Sequence, residues 1–153
     1  HENLKLHHTM AVSALSWLIA SFIGAIPLYL SIPYFSYVDA VYESMSAWTT
    51  TGMTLIPNVE VLPKSVLFWR SFQQWIGGVG ILVLSALVLA RSGTVAYLLY
   101  ASEARQERIM PSAIGTIKTI VWIYVLYTIL GVLLLYLAGL SFWEALNLTM
   151  TGI

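Results

Sequence analysis

Residues 46–57 read SAWTTTGMTLIP, a neutral, hydroxyl-rich stretch set between two apolar runs. Three consecutive threonines, one glycine and a closing proline continue a helix poorly, and no charged side chain interrupts them. Just upstream, Val38 to Trp48 suits a helix too short to cross a bilayer. Downstream, PNVEVLPK (57–64) is turn-like, and Pro63 is a good first-turn residue for the helix that follows. Long helix, short helix, neutral loop, long helix is the layout of a re-entrant hairpin. Non-helical backbone is tolerated at membrane depth only where protein buries it or where it lines a water-filled path.

Composition agrees with a membrane setting. Of 153 residues, 59% are apolar and only 9% charged, against about 25% charged in a soluble domain. Seven basic and seven acidic side chains cancel, so nothing points to nucleic acid or an acidic substrate. With no cysteine, disulfides and thiolate metal sites are excluded. Six Trp and nine Tyr suit the aromatic belts of an integral membrane protein.

Three apolar runs are long enough to span: Met10 to Leu30, Val66 to Ala90 broken only by Arg70, and Thr119 to Leu140. The first alone is about 31 Å as a helix. It is a poor signal peptide, because it is too long and ends in AIPLYLSIP rather than a small-residue cleavage site. The first residue is His1 rather than Met, so the natural beginning is expected to lie upstream. Lys5 precedes the first span, Arg91, Arg105, Arg108 and Lys118 lie between the second and third, and Lys64 is alone on the opposite side. The positive-inside rule then makes the N-terminal end and the 91–118 connection cytoplasmic, with the threonine loop dipping in from outside.

The chain also repeats. SYVDAVYESMS (36–46) aligns with SFWEALNLTMT (141–151) at an offset of 105, with Ser, Ala and Met identical and five further pairs conservative. Each copy follows a span and opens with Ser-x-x-acid, the sequence of a capping box. The expected organisation is a first repeat at 10–90 with outer helix 10–30, pore helix 37–48, loop 49–54 and inner helix 64–90. The 91–118 connection follows, and 119–153 starts a second repeat that stops short of its own loop.

A dehydrated cation needs oxygen ligands in place of its hydration shell, and backbone carbonyls facing a narrow axis supply them. TTTGMT suits such a strand: Thr50, Thr51, Gly52 and Met53 would present carbonyls, with Gly52 free to take unusual dihedrals. The short helix before it aims its partial negative C-terminus at the membrane interior, which favours a cation there.

DAVYESMSAWTTTGMTLIP (39–57) followed by LPKSVLFWRSFQQWIGGVGILVLS (62–85) resembles the first pore repeat of the TrkH/TrkG potassium uptake proteins, within the Trk/Ktr/HKT superfamily. The similarity extends to AGLSFWEAL (138–146), leading into the second repeat. The resemblance implies an all-α integral membrane fold of tandem helix–pore helix–filter–helix repeats, four around one potassium pathway, of which this chain holds about one and a half. It further implies multi-pass insertion in the cytoplasmic membrane, K⁺ as transported ion, no cofactor in this chain, a TrkA-type cytoplasmic nucleotide-binding partner and a homodimer. Related plant transporters with Ser at the place of Gly52 are similar to sodium carriers.

The remaining polar residues have competing readings. Asp39 and Glu43 share a helix face and would serve as the acid pair of an intramembrane hydrolase, but Glu144 occupies the same cap slot as Asp39. Asp39 is therefore expected to be a cap and Glu43 a polar contact behind the loop. Arg70 lies about two turns into a span, where it costs roughly 2.5–3.5 kcal/mol unpaired at the bilayer centre. On the axis it would repel the ion, so it is expected behind the loop, bonded to Glu43 or to pore-helix carbonyls. GGVG (77–80) lacks dinucleotide-fingerprint spacing and suits close helix packing or bending. His7 and His8 have too few companions for a metal site, and SEARQERIMPS (102–112) is either a partner contact or a solvated linker. Potassium translocation is the function expected, not enzymatic activity; a hydrolase using Asp39 and Glu43 and a non-conducting membrane scaffold are the alternatives.

Overall fold

The computed structural model describes residues 6–89 and 113–153. Every regular element among them is helical: α1 (Leu6–Ser31), α2 (Tyr37–Trp48), a 3₁₀ turn (Val59–Val61), α3 (Lys64–Leu89), α4 (Ala113–Leu137) and α5 (Phe142–Gly152). The greater part of the expected cytoplasmic connection, 91–112, including all of SEARQERIMPS, lies outside the described residues. The segments Ala11–Ser31 and Ile117–Leu137 are long and apolar enough to cross a membrane. Their outward side chains include Leu15, Ile19, Ile23, Leu130, Leu133 and Leu134, all exposed. A lipid or protein surround must cover such a surface.

Local chemistry sets the short helices. Ser36 and Ser141 each accept from the amide three residues on, and Asp39 and Glu144 reach back to the cap amides. Both capping boxes are complete, which satisfies otherwise unpaired donors at each helix start. Gly139, at φ +102°, ends α4. The amide of Leu140 donates to the Leu135 carbonyl and that of Gly139 to the Tyr136 carbonyl, the Schellman pattern. The last long helix therefore runs 113–137, displaced toward the N-terminus relative to the apolar run 119–140.

α2 is wedged between α1 and α3. Ala25 and Leu28 of α1 and Ile32, just past its end, pack with Phe35, Ala40, Ile56 and Val66 into one buried cluster. Pro27 cannot donate the helical bond expected of its position, which loosens the turn around it. The Gly24 carbonyl, in that turn, accepts from Trp69 Nε1 at 2.9 Å and Gln73 Nε2 at 2.8 Å, two donors from α3.

The α4–α5 pair reproduces the α1–α2 pair. A methyl on Gly24 would lie 2.6 Å from the Ser44 hydroxyl, and one on Gly131 2.7 Å from Thr149 Cγ2. Ser44 and Thr149 correspond at the offset of 105. In both copies a glycine of the long helix admits a small hydroxyl residue of the short one, so the two helices approach closely. α3 stands between the copies: Trp75 Nε1 donates to Thr128 Oγ1, the Tyr124 hydroxyl to the Trp75 carbonyl, and Gln74 Nε2 to the Thr151 carbonyl.

Candidate functional site

The threonine loop begins where α2 stops. The amides of Thr49, Thr50 and Thr51 donate to the carbonyls of Met45, Ala47 and Ser46, folding the chain back on the last turn of α2. The Thr49 hydroxyl donates to the Met45 carbonyl and pairs with the Thr51 hydroxyl at 2.8 Å. The loop is thus tied to the helix end by backbone and side chain together.

Its backbone reverses hand at successive residues. Thr49 has φ −86°, Thr50 +54° and Gly52 +77°, while Thr51 and Met53 remain at negative φ. Thr50 is the only non-glycine at positive φ among the described residues. For a β-branched residue that conformation is costly, about 1–3 kcal/mol. Such reversals break the strand-like pattern in which neighbouring carbonyls point to opposite sides. No described residue donates to the carbonyls of Thr50, Thr51 or Gly52. The Met53 carbonyl differs: it accepts from the Ser46 hydroxyl at 2.6 Å, and the Met53 sulfur accepts from the Tyr42 hydroxyl at 3.4 Å.

Behind the loop lies Glu43, 1% exposed. One of its carboxylate oxygens accepts from the Thr54 hydroxyl at 2.8 Å and Arg70 Nε at 2.7 Å, and the other from the Leu55 amide at 3.0 Å. Arg70 Nη2 adds a further ion-pair contact to the first oxygen. The buried charge is therefore paired and multiply hydrogen-bonded, the condition under which it can be retained inside a protein. One carboxylate joins α2, the exit of the loop and α3. At the offset of 105 the second copy carries Leu148, so this ion pair belongs to the first copy alone.

Asp39 is occupied elsewhere, accepting from the Ser36 amide at 2.9 Å and the Ser36 hydroxyl at 2.7 Å. These bonds, the hydroxyl's first, hold its carboxyl below the ordinary range. Ser141 does the same for Glu144, with a smaller contribution from the Lys64 charge. Asp39 and Glu43 thus have separate partners rather than a common one. No group of three or more His, Cys, Asp or Glu that could hold a metal occurs among the described residues.

Sequence reasoning missed the Ser46 tether on Met53 and the positive φ of Thr50. Ser46 has a weak signal, a hydroxyl in the last turn of a short helix, but nothing in the residue type of Thr50 announces its backbone.

A capped half-length helix, held between long apolar helices and ending in a loop whose carbonyls accept from no described residue, belongs to an all-α integral membrane protein. A family model described as TrkH, cation transport protein, matches residues 1–153, and the chain belongs to that family. An uncharacterized cation transporter of Methanocaldococcus jannaschii is 93% identical over 152 residues, covering 99% of this chain and 32% of that protein. The Trk system potassium uptake protein TrkH of Escherichia coli K12 is 34% identical over 149 residues, 94% of this chain and 31% of that protein. The crystal structure of the potassium transporter TrkH from Vibrio parahaemolyticus superposes with a TM-score of 0.79 at 33% identity, covering 97% of this chain and 30% of the other. The chain spans about a third of the length of these relatives. The family is one of transporters, not enzymes, which removes the hydrolase reading of Asp39 and Glu43.

Proposed function

We propose that this chain contributes one complete filter strand and its scaffold to the potassium pathway of a Trk-type uptake protein in the cytoplasmic membrane. The observation that carries the reading is the loop itself: alternating hand at Thr50 and Gly52, with three successive carbonyls that accept from no described residue. Thr50, Thr51, Gly52 and Met53 form the filter strand. The first three carbonyls face the ion, and Met53 closes the strand through its bond to Ser46. A ring of such carbonyls replaces the hydration shell of K⁺.

Glu43 and Arg70 support the strand rather than conduct. Their charges neutralise one another behind the loop, and the Thr54 and Leu55 bonds fix the outer exit of the strand. Passage is passive along the filter and needs no cofactor. One strand cannot encircle a cation, so the pathway requires the remaining repeats of the full protein. The basic residues orient the N-terminal end of this chain and the 91–118 connection to the cytoplasm. Resemblance to the Trk systems gives the other partners: a TrkA-type nucleotide-binding ring on the cytoplasmic side and a second copy of the transporter.

The test is K⁺ and Na⁺ uptake by the full-length protein in cells lacking other potassium systems. Growth at low K⁺ is expected from the unaltered protein, and Na⁺ is expected to compete in Gly52→Ser, whose backbone resists the required φ. An unchanged K⁺/Na⁺ preference in Gly52→Ser removes the filter assignment.

A further inference from the structure

The GGVG run of α3 has three glycines, and each meets a different helix. A methyl on Gly80 would lie 2.9 Å from the ring edge of Trp17 in α1, and one on Gly78 2.6 Å from the Tyr124 hydroxyl in α4. Both neighbours are side-chain atoms rather than backbone: relief at Gly78 costs the buried Tyr124 hydroxyl its bond to the Trp75 carbonyl, and relief at Gly80 shifts the Trp17 ring, without displacing the α2 backbone directly. Gly77 is different. A methyl there would lie 2.1 Å from the Trp48 carbonyl oxygen, 2.8 Å from its carbon and 3.1 Å from its Cα. All three atoms are backbone, in the last residue of α2.

Trp48 immediately precedes the loop, whose first three amides are bonded to the carbonyls of Met45, Ala47 and Ser46. Displacing Trp48 therefore carries Thr49, Thr50 and Thr51 with it. Ordinary carbon contacts lie at about 3.5–4.0 Å, so relieving the clash moves this backbone by roughly 1 Å. A shift of that size spoils a site whose geometry must be held within about 0.5 Å. Two turns earlier on α3, Arg70 fixes the middle of α2 through Glu43. The helix end cannot escape by sliding as a whole while that anchor holds.

We infer that Gly77, outside the candidate filter, is a specificity-determining position: its missing side chain sets where the filter strand starts. The inference rests on reading residues 50–53 as the filter. α3 thereby touches the ion path through a backbone contact, and Gly77 is a positioning residue, not a ligand.

The experiment uses the full-length transporter, with K⁺ and Na⁺ uptake measured per folded molecule for Gly77→Ala, Gly78→Ala, Gly80→Ala and Gly52→Ser. Thermal stability of each purified protein in K⁺ and in Na⁺ is the second readout, because an ion bound only by the folded state raises the melting point. Gly77→Ala is expected to lower K⁺/Na⁺ preference at least tenfold and to shrink the K⁺-specific stabilisation. Gly78→Ala and Gly80→Ala should keep both near the unaltered values. The inference is overturned if folded Gly77→Ala keeps its preference, if Gly78→Ala or Gly80→Ala loses as much, or if Gly77→Ala fails to fold in either ion, which would make the contact a folding determinant. Gly52→Ser separates the two levels: if it also leaves preference unchanged, the filter reading itself fails.

Discussion

Replacing Arg70 by Gln isolates the ion pair behind the loop. Glu43 has no side-chain exposure and Arg70 has 22%, so the carboxylate cannot recover water when its partner is lost. Removing one partner of a buried pair costs about 3–5 kcal/mol, and the remaining exposure of Arg70 favours the lower end. A Gln amide can return one hydrogen bond to the carboxylate, worth about 1.5 kcal/mol or more when the acceptor is charged. The bonds from Thr54 and Leu55 persist. The net expectation is a loss of about 1.5–2 kcal/mol, read as a melting point lower by a few degrees and a reduced monodisperse yield in detergent. Glu43→Gln should lose a comparable amount, and the double variant Glu43→Gln/Arg70→Gln less than the sum, because no lone buried charge remains. Conduction per folded molecule should change less than yield. Strict additivity of the two losses would refute the coupling. A normally folded Arg70→Gln protein with greatly increased current would show that Arg70 obstructs the path instead.

Three other expectations follow from local geometry. Gly139→Ala should lower stability by about 1–2 kcal/mol, since φ +102° is unfavourable to any L side chain and open space surrounds the site; a melting curve of the purified protein checks this. Asp39 and Glu144 have carboxyls held below the ordinary range, so their contribution to stability is complete above the unfolded-state values of about 3.9 and 4.3 and is lost as pH falls through the lower folded-state values. Melting points measured from pH 6 down to pH 3 should therefore decline less steeply in Ser36→Ala/Ser141→Ala than in the unaltered protein. Ser46→Ala should free the Met53 carbonyl and weaken K⁺/Na⁺ discrimination less than Gly52→Ser does, as read by competitive uptake.

What the sequence made legible was local. Ser36 with Asp39 and Ser141 with Glu144 form their capping boxes because four consecutive residues suffice to specify one. Arg70 was expected off the axis, bonded to Glu43 or to pore-helix carbonyls, because a fixed cation on the path would repel the ion; the choice of Glu43 between the two is a matter of packing. The end of α4 was harder: Ala138-Gly139-Leu140 reads as a continuation of the apolar run, and only the backbone reversal at Gly139 marks the stop. Its start at Ala113 was signalled by Pro111 and Ser112, residue types that commonly precede helices, but hydropathy outweighed them. Thr50 was illegible in principle, because the tethers from Met45, Ala47 and Ser46 impose a conformation that its residue type disfavours. GGVG announced close packing but not that each glycine serves a different neighbour, which depends on how α1, α2 and α4 surround α3.

In the proposed pathway the carbonyls of Thr50, Thr51 and Gly52 face a potassium ion. A crystal structure of the full-length protein grown in Rb⁺ or Tl⁺, with anomalous differences recorded, tests it directly. Anomalous peaks are expected on an axis level with those three carbonyls, with Glu43 and Arg70 off the axis and still bonded to each other. Peaks elsewhere along the pathway with none at Thr50–Gly52, or these carbonyls turned into the protein, would contradict it.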